Sequence, residues 1–213
     1  MKAVRGRNVK LNKLEFLLMN NPIRAFVQET HEVKILRDLT SIGTIERALE
    51  IGCGNGHGTK LIKKYFGPKR MDAVDLDEKM IKLAERKNND SSVRYHVMDA
   101  ARLGFPDNAF DAIFDFGIIH HIPNWRDCIS ETNRVLKAGG EAILEEASID
   151  TFNTLPGRVW KGLLDHPYSK MFSTTEFVNS LVAAGFALRG FRESYPLRLF
   201  KHFSLVAKKR NGV

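Results

Sequence analysis

The chain is poor in the features that would set it apart from an ordinary globular domain. Its 213 residues include only two cysteines, Cys53 and Cys128. That is too few for a disulfide framework, so a reducing, cytoplasmic setting is expected. No apolar run approaches the roughly 20 residues a membrane span needs. The basic start of the chain lacks an apolar segment of signal-peptide type, and nothing in it suggests export. Internal repeats and low-complexity blocks are missing too.

What is present is a moderately basic sequence of a size that suits one α/β domain with a substantial core. Thirty-three Lys and Arg residues against 25 Asp and Glu give a formal charge of +8. The excess collects at Lys2, Arg5, Arg7 and Lys10, and again at Arg189, Arg192, Arg198, Lys201, Lys208, Lys209 and Arg210. A solvated surface, an anionic substrate, a polyanionic partner and an anionic membrane surface would each account for it. Short apolar strands alternate with amphipathic helical segments, the pattern of a doubly wound, mostly parallel sheet with helices on both faces.

The most informative stretch is Glu50-Ile51-Gly52-Cys53-Gly54-Asn55-Gly56-His57-Gly58. Its four glycines at alternate positions join a β-compatible run beginning at Ile45 to a helical face made by Leu61, Ile62, Tyr65 and Phe66. Gly67 and Pro68 stop that helix. A glycine-rich strand-to-helix turn lets a ligand approach bare backbone, amide N–H groups and a helix N-terminus. The dinucleotide fingerprint would put Gly or Ala where His57 stands. Glu50 would repel a pyrophosphate and suits a ligand with a positive amino group, so a nicotinamide enzyme is disfavoured.

Two further acids follow. Asp75 ends a second strand about 20 residues beyond the glycines, where an acid can accept hydrogen bonds from ribose hydroxyls. Asp77 reads as the N-cap of a helix with Met80, Ile81 and Ala84 inward. A third strand, Val93 to Val97, leads into Met98-Asp99-Ala100. A fourth, Ala112 to Gly117, precedes a helix expected from Trp125 to Lys137, with Gly139-Gly140 as its left-handed stop and Glu141 to Leu144 opening strand five. Phe26, Val27, Thr30, Val33 and Leu36 mark the apolar face of a helix begun at Asn21-Pro22. Ser173 and Glu176 form a capping box.

From Ile45 to about Glu146 the sequence resembles the core of the class I S-adenosylmethionine-dependent methyltransferases, above all the small-molecule branch with the ubiquinone- and menaquinone-biosynthesis enzymes. The resemblance implies a Rossmann-like, seven-stranded sheet whose last strand is antiparallel and inserted beside strand six. It implies S-adenosylmethionine as cofactor and S-adenosylhomocysteine as product. Glu50, Gly52, Cys53, Gly54 and Gly56 would hold the methionine end, Asp75 the ribose and Asp99 the adenine amino group; Leu76, Ala100 and Phe116 complete the cofactor-binding set. The chain then divides into a helical cap (1–44), a cofactor core (45–147), a substrate-side insertion (148–173) and a C-terminal helix with a strand pair (174–213).

Methyl transfer from a sulfonium is an in-line displacement that mainly requires alignment and exclusion of water. A base is needed only for an acceptor that is protonated at working pH. His120 and His121 follow strand four and are the candidate catalytic residues, because imidazole titrates near neutrality. Glu145 and Glu146, at the end of strand five, are candidates for orienting substrate. Two adjacent histidines cannot both face one ion together with these glutamates, so no metal is expected. Base-amine methyltransferases usually carry Asn/Asp-Pro-Pro-aromatic after strand four; here that place reads Phe116-Gly117-Ile118-Ile119-His120, which disfavours base-amine methylation of nucleic acid. A small-molecule acceptor is the leading expectation. An RNA methyltransferase and a non-catalytic, cofactor-binding regulatory subunit stand as alternatives, and the sequence leaves the oligomeric state open.

Overall fold

The structure, a computed structural model, describes residues 22–152, 170–195 and 201–211. The expected amphipathic piece 11–19 and the helix anticipated between Pro156 and Pro167 lie outside those residues, as do Lys2, Arg5, Arg7, Lys10 and Arg198.

A helical run opens the described chain, made of α1 (Pro22–Val27), a π-turn (Gln28–Glu32) and α2 (Val33–Leu39). Then come β1 (Arg47–Ile51), α3 (His57–Phe66), β2 (Arg70–Asp75), α4 (Glu78–Lys87) and β3 (Val93–Val97). They are followed by β4 (Phe110–Phe116), a 3-10 turn (Ile119–His121), α5 (Trp125–Val135), β5 (Leu136–Ala147) and the short α6 (Ile149–Phe152). The last elements are α7 (Thr174–Ala183), β6 (Phe186–Ser194) and β7 (His202–Lys209). The sheet order is β3-β2-β1-β4-β5-β7-β6. β1 to β5 pair in parallel, and β7 runs antiparallel to both β5 and β6. This is the sheet expected from the sequence. Strand order reverses between β1 and β4, and open α/β sheets bind ligands in the crevice outside the strand ends at that point.

Alternation along each strand divides the core. Leu49, Ile51, Val74, Ile113 and Leu144 pack on one face with Trp125, Cys128 and Ile129 of α5 and with Phe177 and Leu181 of α7. Ala48, Met71, Ala112, Phe114 and Ile143 pack on the other with Val33 and Leu36 of α2 and Leu61 and Ile62 of α3. Because odd and even positions face opposite layers, Glu50 points toward the α3 side while its neighbours Leu49 and Ile51 face α5.

Two expectations are corrected. The helix beginning at Trp125 ends at Val135, and β5 starts directly at Leu136. Gly139, at φ +75°, sits inside that strand rather than behind a helix. A Cβ on Gly140 would lie 2.8 Å from the Asp111 carbonyl oxygen, so glycine here lets β5 press against β4. Phe26, expected on the apolar face of the first helix, is 66% exposed. The Val33 N–H bonds back to Gln28 O, an i to i−5 link. The extra residue in that turn rotates α1 relative to α2, so one 3.6-residue stripe cannot continue through both.

Candidate active site

The turn between β1 and α3 is built from glycines in conformations that side chains resist: Gly52, Gly54 and Gly56 have φ of +67°, +51° and +81°. A Cβ on Gly52 would fall 2.3 Å from the Ile118 side chain, and one on Gly58 would fall 2.2 Å from Glu50 Oε1. Gly54 has nothing within 4 Å of such a Cβ, so bare backbone faces open space there. The turn satisfies its own polar groups. Cys53 N–H donates to Val74 O (2.9 Å), Gly56 N–H to Cys53 O (2.9 Å) and His57 N–H to Asn55 Oδ1 (3.1 Å). The Gly54 N–H, expected to face a ligand, donates instead to Asp75 Oδ2 at 2.9 Å. The Cys53 side chain packs inward with Ala73 and Ile81.

Glu50, 2% exposed, accepts a 2.5 Å hydrogen bond from the Thr59 hydroxyl on α3. Among the described residues no lysine or arginine pairs with it. Burial pushes its carboxyl up to about 8, with the Asp75 and Asp115 charges adding to the rise. Asp75 is raised by burial, against which the amides of Asp77 and Gly54 hold it down. Each of its oxygens already accepts one of those amides, Oδ1 from Asp77 and Oδ2 from Gly54, both at 2.9 Å. A carboxylate oxygen has a second lone pair to offer. Asp99 is exposed, with Oδ1 accepting the Ala101 N–H at 2.9 Å. Leu76 and Val97 are exposed apolar side chains, 54% and 53%, at the neighbouring ends of β2 and β3. Ala100 is buried beside them in sequence, and a Cβ on Gly58 would meet the Phe116 ring at 3.0 Å. The expected cofactor residues line adjoining strand ends; Thr59 and Val97, which no sequence motif singles out, stand beside Glu50 and Asp75 only in the fold.

The ends of β4 and β5 carry a second, drier group. Asp115, Glu145 and Glu146 are fully buried, and His120 and His121 nearly so. Glu146 Oε1 accepts the Ile119 N–H at 2.5 Å, and Glu146 Oε2 lies 2.5 Å from His120 Nδ1. One proton lies between those two atoms. Burial holds the His120 imidazole neutral, down to about 3, with the His202 charge acting in the same direction. Burial also raises Glu146 to about 8, the Glu145 charge adding and the Asp115 hydrogen bond opposing, and raises Asp115 well above its ordinary range, with Glu146 and Glu145 adding. The His121 ring lies 4.2 Å from that of His120, centroid to centroid. Glu145 differs. Burial alone would raise it, but the His202 imidazolium and Arg24 outweigh burial and bring it down to about 2. His202 Nδ1 bonds Glu145 Oε1, while Arg24 Nη2 reaches Glu145 Oε2 at 3.5 Å and Arg24 Nη1 reaches Glu32 Oε1 at 2.5 Å. Arg24, Glu32 and His202 carry no local motif, and the sequence did not single them out.

Residues 49–144 match the family described as "Methyltransferase domain". The chain is 32% identical over 102 residues to the fatty-acid O-methyltransferase of Mycolicibacterium smegmatis, covering 48% of this chain and 37% of that one. It is 37% identical over 108 residues to the demethylmenaquinone methyltransferase of Staphylococcus carnosus, covering 49% and 44%. The chain therefore spans less than half the length of these curated relatives. In fold it is similar to a chain of the Haloferax volcanii complex between the Trm112 methyltransferase activator and a methyltransferase, with a TM-score of 0.76, 15% identity and 89% and 94% of the two chains covered. The geometry suits that family's cofactor. Glu50 is a buried acid lacking a cation, Gly54 faces open space, and Asp75 and Asp99 stand at successive strand ends with lone pairs to offer. Residues 49–144 therefore belong to the methyltransferase-domain family, on a sheet with the strand order of the class I, S-adenosylmethionine-dependent methyltransferase fold.

Proposed function

We propose that this chain transfers a methyl group from S-adenosylmethionine to a small-molecule acceptor by in-line displacement. Glu50 carries the reading. A carboxyl buried at the mouth of the glycine turn, raised to about 8 by burial and by the Asp75 and Asp115 charges, is matched by a ligand bearing an ammonium group. Asp75 would accept from ribose hydroxyls, Asp99 from the adenine amino group, and Leu76 and Val97 would supply apolar walls. S-adenosylmethionine supplies an activated methyl group on a positively charged sulfur. The chain's own part is to hold the acceptor in line and keep water out. The relatives named above act on a fatty acid and on demethylmenaquinone, so acceptors of these classes belong in the first panel to be tried.

The acceptor side falls to Asp115, His120, His121 and Glu146. Glu146 fixes the His120 ring through Nδ1, and His120 in turn supports the His121 ring, which we assign to removing a proton from the acceptor where one must leave. Fixing an imidazole by a carboxylate at one nitrogen is how its other nitrogen is aimed. Calorimetry with S-adenosylmethionine and S-adenosylhomocysteine tests the cofactor half; binding of neither, with the protein folded, ends the reading. Release of S-adenosylhomocysteine over a panel of fatty acids, quinols and amines tests the acceptor half. His121→Gln is expected to lower turnover about 10²–10⁴-fold, the usual worth of a positioned base, with cofactor affinity unchanged. Full turnover in that variant would remove the base assignment.

A further inference from the structure

Beside the acceptor-side group lies a cluster that methyl transfer does not use. Glu32 from the π-turn, Glu145 from β5 and His202 from β7 each offer one ligand atom, all within 4.8 Å of one another. The three come from elements far apart in sequence, so no local turn forces them together. Both carboxylates are fully buried. Glu32 Oε1 takes Arg24, but Glu32 Oε2 is buried with no hydrogen-bond partner among the described residues. Leaving a buried acceptor unsatisfied costs about 1–3 kcal/mol. Glu32 is also delivered by a π-turn, a rare geometry frequent at functional sites. The Glu32 oxygen thus keeps lone pairs that a cation seated among the three residues would take.

We propose that Glu32, Glu145 and His202 form a binding site for a divalent cation of the Mn²⁺, Co²⁺ or Zn²⁺ kind. One imidazole with two carboxylates suits these borderline ions better than Ca²⁺ or Mg²⁺, which favour all-oxygen sets. Bond lengths of about 2.0–2.2 Å are reached by small side-chain rotations from the present spacing. The ion takes the place of the proton between His202 Nδ1 and Glu145 Oε1, and that proton leaves to solvent. Arg24 is the resident competitor. Its guanidinium spans Glu32 and Glu145, and its side chain is 21% exposed. Three protein ligands leave at least one coordination position open for water or an acceptor oxygen. A Cβ on Gly117 would lie 3.6 Å from Glu145 Oε2 and 3.7 Å from the His120 ring, so that position adjoins the acceptor side; this last point rests on the function proposed above, whereas ion binding does not.

The test is a titration of the protein, without cofactor or acceptor, with Co²⁺ followed by visible absorption and with Mn²⁺ and Zn²⁺ followed by calorimetry. One ion per chain is expected. Glu32→Gln and His202→Ala should each weaken binding by about tenfold or more, since loss of an outer-shell partner alone does as much. Arg24→Gln should tighten it by removing the competitor. His96→Ala, whose imidazole pairs with Asp72 elsewhere, serves as the control and should bind as the parent does. No uptake at millimolar ion by the parent and by Arg24→Gln, both folded by circular dichroism, overturns the site. So does binding that Glu32→Gln and His202→Ala leave unchanged, or that His96→Ala abolishes. Affinity for S-adenosylmethionine is read separately on the same samples, so failure of the metal site and failure of the methyltransferase reading are told apart.

Discussion

At the scale of single residues, Asp75 does two things at once. It pins the Gly54 amide, which holds the glycine turn in shape, and it is the residue proposed above to accept from ribose hydroxyls. Asp75→Ala should therefore weaken S-adenosylmethionine binding by about 1–3 kcal/mol, the cost of a polar group left unmatched, and should speed hydrogen exchange at the Gly54 amide. Calorimetry and exchange mass spectrometry check the two effects; unchanged affinity would count against the ribose role. Gly58 is the complementary case. Its missing Cβ is the space into which Glu50 Oε1 and the Phe116 ring fit, at 2.2 and 3.0 Å. Gly58→Ala is expected to displace Glu50 and abolish measurable cofactor binding in a protein that still folds, because the clash falls on a side chain of the site. A Gly58→Ala protein binding as tightly as the parent would show that Glu50 is not positioned by that contact.

At the scale of elements, stability rests on local rules that were largely visible in the sequence. Ser173 caps α7, accepting from the Glu176 N–H at 3.2 Å, while Glu176 Oε2 accepts the Ser173 N–H at 2.9 Å. Ser173→Ala should cost about 1 kcal/mol, seen as a lower thermal midpoint with cofactor affinity unaltered, since α7 packs Phe177 and Leu181 on the face away from Glu50. The same short-range logic made the strand ends, Asp77 as an N-cap and Gly67 as a helix stop legible. It failed where a longer-range force decided. β5 takes over from α5 at Leu136 because Phe110 of β4 offers a pairing partner there. Phe26 faces solvent because a π-turn, which leaves no mark in the hydrophobic period, shifts the helix phase. The glycine turn and its acids form one contiguous pattern and could be read in order. The group of Arg24, Glu32, Glu145 and His202 joins positions that only the folded sheet brings together.

At the scale of the whole molecule, the strand ends gather more buried acid than cation, and this sets how stability depends on pH. Glu50 and Glu146, each raised by burial from an ordinary 4.5 to about 8, keep protons in the folded state that the unfolded chain releases at lower pH. Where the folded state binds more protons, stability falls as pH rises, so these groups oppose folding progressively from about pH 4.5 to about 8. Glu145 acts in the opposite sense: lowered to about 2, it stabilises above 4.5 and ceases to as pH falls toward 2. His202, raised above 6.5, stabilises below that value and loses its effect as pH rises beyond it. The ligand-free protein should therefore be most stable in mildly acidic solution, and its thermal midpoint should drop between about pH 5.5 and 8. Glu50→Gln cannot ionise and should flatten that slope. Binding a cationic ligand beside Glu50 must lower its pKa, so S-adenosylmethionine should release protons on binding at pH 7. Calorimetry in buffers of different ionisation enthalpy would then give a buffer-dependent heat in the parent and a smaller dependence in Glu50→Gln. A midpoint that climbs across this range, or a binding heat independent of buffer in the parent, would mean that Glu50 is already ionised before the cofactor arrives.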